Sequence, residues 1–317
     1  MHHPTWGFLI VNYLFLGGLS AGLFFVSGVA TLFYQQGKEG NARMARLAAL
    51  LAPWPVAIGC TLLIFDLGKW YRFYKLFLHL RVVSPMSIGT WLLLLFTAIS
   101  LLYLYSWLTA DERALLIAKV PERLAFVRRF DRDLTPHRKK LAAIGVPLSL
   151  GVGIYTGVLL GAVQSRPFWN TNLVAQLFLI SALSTGCAAV MLVLVLRGEM
   201  TREEMRTLFA ADVLLMLLEC LIVTPYLLHG ELSVESVRQS LTLILGGPYT
   251  WAFWIGFVVL GLVIPLAVEA RELKLSLAVG PAHASRVLTA VTAALVLVGG
   301  FMLRYIFVFA GQASSFK

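Results

Sequence analysis

Long uninterrupted apolar runs dominate the chain, and short polar stretches separate them. Eight runs reach about 20 residues, the length that a helix needs to cross the hydrocarbon core of a bilayer. Continuous runs favour helices over a β-barrel, whose strands are short and alternate in polarity. The pattern predicts an all-α integral membrane protein with eight transmembrane helices, spans 1 to 8, at Trp6–Tyr34, Leu47–Asp66, Ile88–Leu108, Leu141–Val163, Leu173–Leu196, Leu208–Leu228, Trp251–Val268 and Val287–Ala310.

Composition agrees with this prediction. Charged residues make up 13% of the 317 residues, about half of the roughly 25% that soluble domains carry. The three cysteines, Cys60, Cys187 and Cys220, lie inside apolar runs and form no CxxC spacing. Neither a disulfide framework nor a metal cluster is therefore indicated.

The distribution of positive charge predicts the orientation, because lysine and arginine mark cytoplasmic loops. The loops after spans 1, 3, 5 and 7 hold 18 of the 26 Lys and Arg residues, and the face with both termini holds 7. We therefore expect a multi-pass protein of the cell membrane with both termini outside, on the periplasmic side in a bacterium. The loop at 110–140 is then a basic cytoplasmic loop, whose expected partner is anionic membrane lipid and not nucleic acid.

One outer loop departs from this charge rule. Between spans 2 and 3, basic residues alternate with aromatic ones at Lys69, Arg72, Lys75 and Arg81. Such a stretch is typical of an interfacial amphipathic helix whose cations reach the lipid headgroups. The alternative is a docking surface for an extrinsic partner, and the residues alone leave both interpretations open.

The chain also resembles itself at an offset of about 163 residues. The matching positions are Pro4 and Trp6 with Pro167 and Trp169, residues 19–22 with 183–186, and Pro85 and Trp91 with Pro248 and Trp254. Four helices separate the two copies, so both copies have the same orientation, which is a parallel repeat about an axis along the membrane normal. We expect two four-helix bundles side by side, residues 1–163 and 164–317.

Polar residues within the spans are functional candidates, because placing them in a bilayer is costly. At about 1.5 Å per residue, four of them lie roughly 9 to 14 Å below the outer ends of their spans. The repeat relates two more at the outer rim. The set is Tyr13, Tyr155, Glu219 and Arg304 within the spans, with Asp66 and His229 at the rim. Convergence of these groups on one site is a hypothesis, since sequence gives depth but not direction.

Three of these residues also have structural interpretations that involve charge. Asp66 can cap its helix or pair with Lys69, and Arg304 can be the ion-pair partner of Asp66 or Glu219. Glu219 is harder to explain in this way, because only Thr224 or protonation would neutralise it nearby. Burial favours the protonated form of such a carboxyl.

The other three candidates have simpler alternatives. His229 can be a solvated loop residue, and Tyr13 and Tyr155 can be interfacial aromatics. Haem b in a helical bundle needs histidines that project inward, and only His229 borders a span. We therefore expect no haem and no metal in this chain.

Several motifs occur in a specific order along the chain. They are Asn12-Tyr13 and Gly17-Gly18 in span 1, Phe65-Asp66-Leu67-Gly68-Lys69 after span 2, Ser84-Pro85-Met86-Ser87 before span 3, Tyr155-Thr156-Gly157 in span 4, Trp169-Asn170 before span 5 and Arg304-Tyr305 in span 8. Together they resemble the NrfD/PsrC family, the membrane subunits of polysulfide reductase and related respiratory complexes. The resemblance extends from about residue 6 to residue 312.

The resemblance implies a quinone-reactive subunit without a redox cofactor of its own. It would exchange electrons between menaquinone or ubiquinone and an extrinsic subunit with ferredoxin-like iron–sulfur clusters. That subunit would serve a catalytic subunit, often a molybdopterin enzyme. In this family an Asn and a His of helix 1 and a Tyr of helix 4 contact the quinone; Tyr155 matches the last, and Tyr13 stands at the His position beside Asn12.

Proton exchange follows from the same implied chemistry, because quinol oxidation releases two protons that a nearby acid or histidine must accept. Asp66 and His229 are placed to exchange protons with the outer face, and Glu219, which lies deeper, could begin a route inward.

Two other functions compete with this interpretation. An ion- or proton-coupled transporter also uses repeats and intramembrane charges, and predicts helices broken at Gly or Pro. Gly17-Gly18, Gly299-Gly300 and Pro265 are the positions that favour it. A structural anchor with an inactive quinone site is the other alternative.

Overall fold

The protein is helical wherever the structure describes it. The computed structural model covers residues 6–33, 39–66, 84–118, 133–163, 165–278 and 285–314, which contain helices and no strand. Eight stretches are long and apolar enough to cross a membrane, at Phe8–Leu32, Asn41–Asp66, Pro85–Trp107, Thr135–Gly161, Leu173–Leu196, Arg202–Leu232, Ala252–Leu275 and Arg286–Ala313. They correspond one to one to the predicted spans 1 to 8, so the prediction of an all-α membrane protein with eight transmembrane helices is confirmed.

Two spans contain internal changes of helix geometry. Span 2 consists of the helices Glu39–Leu51 and Pro53–Asp66, which meet at Ala52 because the residue before a proline is disfavoured in the helical region. Span 7 begins as a π-helix at Ala252–Val263 and continues as an α-helix at Ile264–Ala278. The shorter helical elements outside the spans are Ala110–Ala118, a 3₁₀ turn at Thr135–His137 and Glu235–Leu245.

Two spans extend beyond their predicted bounds, because an apolar run marks the buried part of a helix and not its end. Span 6 begins at Arg202, where a capping box closes the helix start: Thr201 accepts from the Glu204 backbone N–H, and the Glu204 carboxylate accepts from the Thr201 N–H at 2.7 Å. Span 7 continues past Val268, so Glu269 is helical and lies within the span.

Helix contacts follow the same order in each half of the protein. In the first half, span 1 packs against spans 2 and 4, and span 3 packs against the same two. In the second half, span 5 packs against spans 6 and 8, and span 7 packs against these two. The halves meet mainly where span 5 packs against spans 1 and 4, with span 8 also in contact with span 1.

Two contacts between the halves join residues that the repeat relates. The Trp6 and Trp169 rings stack with centroids 5.1 Å apart. Gly22 and Gly186 meet backbone to backbone, so a Cβ on either would collide with the other helix. Contacts between equivalent residues are what a two-fold axis produces. The arrangement as two repeated bundles, and the division at residues 163 and 164, stay predictions.

The two ends of the described structure are joined at one face. The Trp6 N–H donates to Gln312 Oε1 at 2.7 Å, and Gln312 Nε2 donates to the Trp6 carbonyl at 2.8 Å. Trp169 Nε1 donates to the Phe307 carbonyl, and Arg166 donates to the carbonyl of Gln312. The start of span 1, the approach to span 5 and the end of span 8 thus form one clasp.

Candidate functional site

Two buried tyrosines from spans 1 and 4 lie close together in the first half. Tyr13 is 1% exposed and Tyr155 is 7% exposed, and the two phenol groups interact electrostatically. The Tyr155 ring occupies the space beside Gly89 of span 3, where any Cβ would overlap it. Tyr13 borders Gly59 of span 2, where an added Cβ would lie 3.5 Å from its ring. Glycines on two neighbouring spans therefore make room for the pair.

Both tyrosine hydroxyls are available to a ligand. Within the described part of the chain, neither the Tyr13 nor the Tyr155 hydroxyl has a hydrogen-bond partner. A buried hydroxyl without a partner carries a free-energy cost of about 1–3 kcal/mol. Binding of a hydrogen-bond acceptor beside these hydroxyls would remove that cost.

An apolar cleft lies one helical turn from the Tyr155–Gly89 contact. Its volume is about 500 Å³, and it opens between the ends of spans 3, 4 and 5. Pro85 lies one turn before Gly89, and Val158 lies one turn after Tyr155. The lining residues are Pro85, Gly157, Val158, Gly161, Ala162, Asn170, Thr171, Asn172 and Ala175. A mostly apolar wall with a few polar groups is typical of small-molecule sites.

Asn12 is not brought to the tyrosine pair. Its side-chain amide donates to the Phe8 carbonyl at 2.8 Å on its own helix. Phe8 and Phe15, one turn away on either side, both contact the Phe301 ring of span 8. Asn12 shares their face of span 1, whereas Tyr13 lies about 100° further round the helix.

Asp66 and His229 lie at the rim, as the sequence predicts, and both are exposed. Asp66 ends span 2, beside residues outside the described ranges. His229 lies near the end of span 6 and lines a small pocket with Tyr226 and Phe168, whose carbonyl accepts from the Tyr226 hydroxyl at 3.0 Å. Neither residue contacts the tyrosine pair.

Arg304 is fully buried where spans 1, 5 and 8 meet. It donates to Ser181 Oγ at 2.6 Å, to the Gly300 carbonyl at 2.8 Å and to the Phe178 carbonyl at 3.1 Å. Its guanidinium lies 5.1 Å from the Phe178 ring centroid and beside Gly18 of span 1. Neutral acceptors thus satisfy most of its donors, while its charge is retained.

Glu219 is the carboxyl that acts on Arg304. The two groups interact electrostatically, and Ser181 lies between them in hydrogen-bonding contact with both. Glu219 is 4% exposed, and its Oε1 atom has no partner within the described residues. Of the two partners that sequence offered for Arg304, the structure pairs it with Glu219 and not with Asp66.

Two further buried acids were missed by the sequence reasoning, Asp212 of span 6 and Glu269 of span 7. Both are fully buried, and they interact electrostatically with each other and with Cys187 of span 5. Ser184 donates to Asp212 Oδ1 at 2.6 Å. The other Asp212 oxygen and both Glu269 oxygens have no partner in the described part of the chain. Asp212 lies inside the predicted span 6, so its charge was a signal; Glu269 fell one residue beyond the predicted end of span 7.

The remaining site predictions have no structural description. Lys69, Arg72, Lys75 and Arg81, proposed for partner docking, lie outside the described residues. Within those residues, no group of three or more His, Cys, Asp or Glu side chains is arranged to hold a metal ion.

Known proteins resemble this one over nearly its whole length. The family profile described as polysulphide reductase, NrfD, matches residues 2–315. The protein is 30% identical to Protein NrfD of Escherichia coli (strain K12), covering 97% of its own length and 95% of that relative. It is 30% identical to the membrane-family relative named as the third (C) component of polysulfide reductase in Wolinella succinogenes, covering 97% and 94%. It is 23% identical to the Hdr-like menaquinol oxidoreductase integral membrane subunit of Archaeoglobus fulgidus, covering 83% and 62%. This multi-pass membrane protein, with its buried tyrosine pair and its buried acids, belongs to the NrfD family.

Proposed function

We propose that this protein is the quinone-reactive membrane subunit of a respiratory oxidoreductase complex. It exchanges electrons between the membrane quinone pool, menaquinone or ubiquinone, and an extrinsic iron–sulfur subunit, which serves a catalytic, possibly molybdopterin-containing, subunit. The names of two relatives, a polysulfide reductase component and a menaquinol oxidoreductase subunit, support this proposal. The observation that carries it is the tyrosine pair beside the apolar cleft.

The tyrosine pair fits a quinone headgroup. Such a headgroup presents two carbonyl oxygens, which accept hydrogen bonds, and an apolar ring and tail. Tyr13 and Tyr155 each offer an unpaired hydroxyl donor in a buried position, as far as the described residues extend. The cleft between spans 3, 4 and 5 offers an apolar path toward the lipid. When bound, quinone supplies the two-electron, two-proton chemistry, and the tyrosines bind and orient it.

Proton exchange with the outer face is assigned to Asp66 and His229. Both are exposed at the ends of spans 2 and 6, where protons can pass to water. We expect both termini, and therefore these residues, to lie on the periplasmic side. Neither residue touches the tyrosines, so in this proposal they relay protons and do not bind the headgroup.

The buried acids of the second half give the inward route. Glu219 and Asp212 lie two turns apart on one buried face of span 6, about 10 Å along the helix axis. That separation is too long for direct transfer. Ser181 and Ser184, one turn apart on span 5, contact Glu219 and Asp212 respectively. In the proposed route, Arg304 holds the charge of Glu219, and Asp212 passes protons toward Glu269.

The transporter interpretation loses one of its supports. It predicted helices broken at Gly17-Gly18 and Gly299-Gly300, yet both pairs lie within continuous helices, Phe8–Leu32 and Arg286–Ala313. Gly18, Gly299 and Gly300 instead allow close packing against neighbouring spans.

Substitution of the tyrosine hydroxyls tests the proposal in the assembled complex. We expect Tyr155→Phe and Tyr13→Phe to slow quinol-linked turnover roughly 10- to 100-fold, the worth of one or two hydrogen bonds to a ligand. Turnover with an artificial electron donor to the extrinsic subunits should be unchanged. Tyr305→Phe, on a half-buried tyrosine of span 8, is the matched control and should leave both rates unchanged. Equal loss of both activities in Tyr155→Phe would contradict the proposal.

A further inference from the structure

A second cavity lies at the opposite end of the first half, on the face that carries the loops after spans 1 and 3. Its volume is about 390 Å³, within the roughly 300–1,000 Å³ typical of small-molecule sites. Spans 1, 2, 3 and 4 all contribute to it. Its lining residues are Ala30, Thr31, Ala42, Ala45, Trp107, Thr135, Pro136, Arg138 and Lys139. One part of the lining is thus cationic and the other is apolar.

Arg138 is held in place while part of its guanidinium stays unused. Its guanidinium carbon lies 3.9 Å from the Trp107 ring centroid, and Nη2 donates to the Ser106 carbonyl. These two contacts fix the plane of the group. Its buried Nε atom has no partner within the described residues. The arrangement is a fixed cation with free donors beside a cavity.

The positive charge of the cavity is not neutralised by neighbouring acids in the described structure. The carboxylates nearby are engaged elsewhere: Asp133 pairs with Arg113 at 3.0 Å, and Glu112 pairs with Arg46 at 2.6 Å. Across the ranges that the structure covers, Arg138 forms no ion pair and neither does Lys139. Arg138 is also the first residue of its α-helix, whose N-terminus adds partial positive charge.

The hydroxyl groups beneath the cavity are already satisfied. Thr31 donates to the Ser27 carbonyl at 2.8 Å and is hydrogen-bonded to the Tyr103 hydroxyl, which also bonds to Ser27 Oγ at 3.0 Å. Ser27 in turn donates to the Ala45 carbonyl. A ligand therefore finds its polar partners in the two cations and not in the floor of the cavity.

We propose that this cavity binds the headgroup of an anionic phospholipid. A phosphate would meet Arg138 and Lys139, while glycerol and acyl carbons would lie against Ala30, Ala42 and Ala45. Basic pockets between transmembrane helices are where anionic headgroups bind, and Trp107 has the interfacial position that tryptophan prefers. A membrane lipid is favoured over a free anion because half of the lining is apolar and the cavity lies at the ends of apolar helices. Bound lipid would connect four spans at this face.

The test is lipid binding by the purified full-length protein in detergent, followed by native mass spectrometry and by the thermal unfolding midpoint. We expect cardiolipin and phosphatidylglycerol to be retained and to raise the midpoint, and phosphatidylcholine and inorganic phosphate to do neither. Arg138→Gln with Lys139→Gln should weaken anionic-lipid binding by about 30-fold, since each basic residue near an anionic lipid contributes a factor of roughly five. The matched control is Lys140→Gln with Arg202→Gln, which removes two exposed charges from the same face outside the cavity and should retain binding.

A second variant removes the space and leaves the charge. Ala42→Phe, at a half-buried lining position, should abolish lipid retention while both cations remain. If the Arg138 variant does not fold, Lys139→Gln and Ala42→Phe carry the test. Three results would overturn the proposal: equal loss in both charge-removing pairs, stabilisation by inorganic phosphate alone, or equal stabilisation by phosphatidylcholine. None of these readouts depends on quinone turnover, so the outcome is separate from that of the proposed function.

Discussion

The two halves of the molecule arrange similar helix contacts around different polar groups. In the first half, the buried groups that bond across helices are hydroxyls, those of Ser20, Ser27, Thr31 and Tyr103. In the second half they are three carboxyls and a guanidinium, those of Asp212, Glu219, Glu269 and Arg304. Spans 1 and 3 contain no charged residue at all. The first half is thus suited to a neutral ligand and the second to protons, which agrees with the functions we propose for them.

One pair of serines shows how small the underlying difference is. The repeat aligns Ser20 with Ser184, and each donates to the next span of its own half. Ser20 donates to the backbone carbonyl of Ala52, whereas Ser184 donates to the carboxyl of Asp212. The same scaffold position therefore supports a structural hydrogen bond in one half and a titratable site in the other.

Removal of Arg304 is expected to have the largest effect on stability. Arg304→Met leaves Glu219 buried without its cation, and breaking a buried charge pair costs about 3–5 kcal/mol of unfolding free energy. The thermal midpoint of the protein in detergent measures the loss. The double variant with Glu219→Gln should recover part of it. If the double variant is as unstable as the single one, the charge of Glu219 is not the cause.

The contact between the halves comes next in expected size. Gly22→Ala and Gly186→Ala each place a methyl group into the facing helix, and overpacking of this kind costs about 1–3 kcal/mol. Gly17→Ala is the matched control on the same helix, because its nearest neighbour would be Thr156 Cγ2 at 3.8 Å. Unfolding midpoints of the three variants compare the two positions. Equal effects at Gly17 and Gly22 would rule out close packing as the reason.

The serine pair offers a direct comparison of the halves. Ser184→Ala removes a hydrogen bond to a carboxyl, worth about 1.5–3 kcal/mol if that carboxyl is charged, and Ser20→Ala removes a neutral one, worth about 1 kcal/mol. We therefore expect the larger loss of stability at Ser184, measured as unfolding midpoints in detergent. In an Asp212→Asn background the difference between the two alanine variants should shrink. A difference that persists there would mean that the carboxyl charge is not responsible.

The smallest expected effect is a pH dependence at the rim of the first half. Hydrogen bonding from the Thr109 backbone N–H, together with the Arg46 guanidinium, holds the pKa of Glu112 below its usual value. The stabilisation is therefore complete above the unfolded pKa of about 4.3 and is lost as pH falls through the lower folded pKa. Because the pair is exposed and screened, Glu112→Gln should cost only about 0.2–1 kcal/mol near pH 7. Unfolding midpoints at pH 7 and pH 3 measure it; a larger penalty at pH 3 would contradict the assignment.

The fold was largely predictable because burial in lipid demands long apolar helices. All eight spans were visible as apolar runs, and the ends were not, since a helix continues through charged residues when its backbone is capped. The capping box at Thr201 and Glu204 extends span 6 in this way. The extension of span 7 past Val268 is what hid Glu269.

The site was predictable in depth but not in direction. Glu219 and Arg304 were recognised as buried and do interact, yet only the structure distinguishes Glu219 from Asp66 as the partner. Asn12 and Tyr13 are adjacent in sequence and point to different neighbours, because successive residues of a helix differ by about 100°. Such directions depend on how the spans pack, which no single span encodes.

The clasp between Trp6 and Gln312 also sets an order in time. Its hydrogen bonds join residues 306 positions apart. At about 5–20 residues per second, a ribosome needs roughly 15–60 s to make the intervening polypeptide. During that interval the start of span 1 lacks its final neighbour, and the stacking partner Trp169 arrives only about halfway through. Biogenesis of this protein therefore ends by closing a loop, with its first helix as the last to be fully secured.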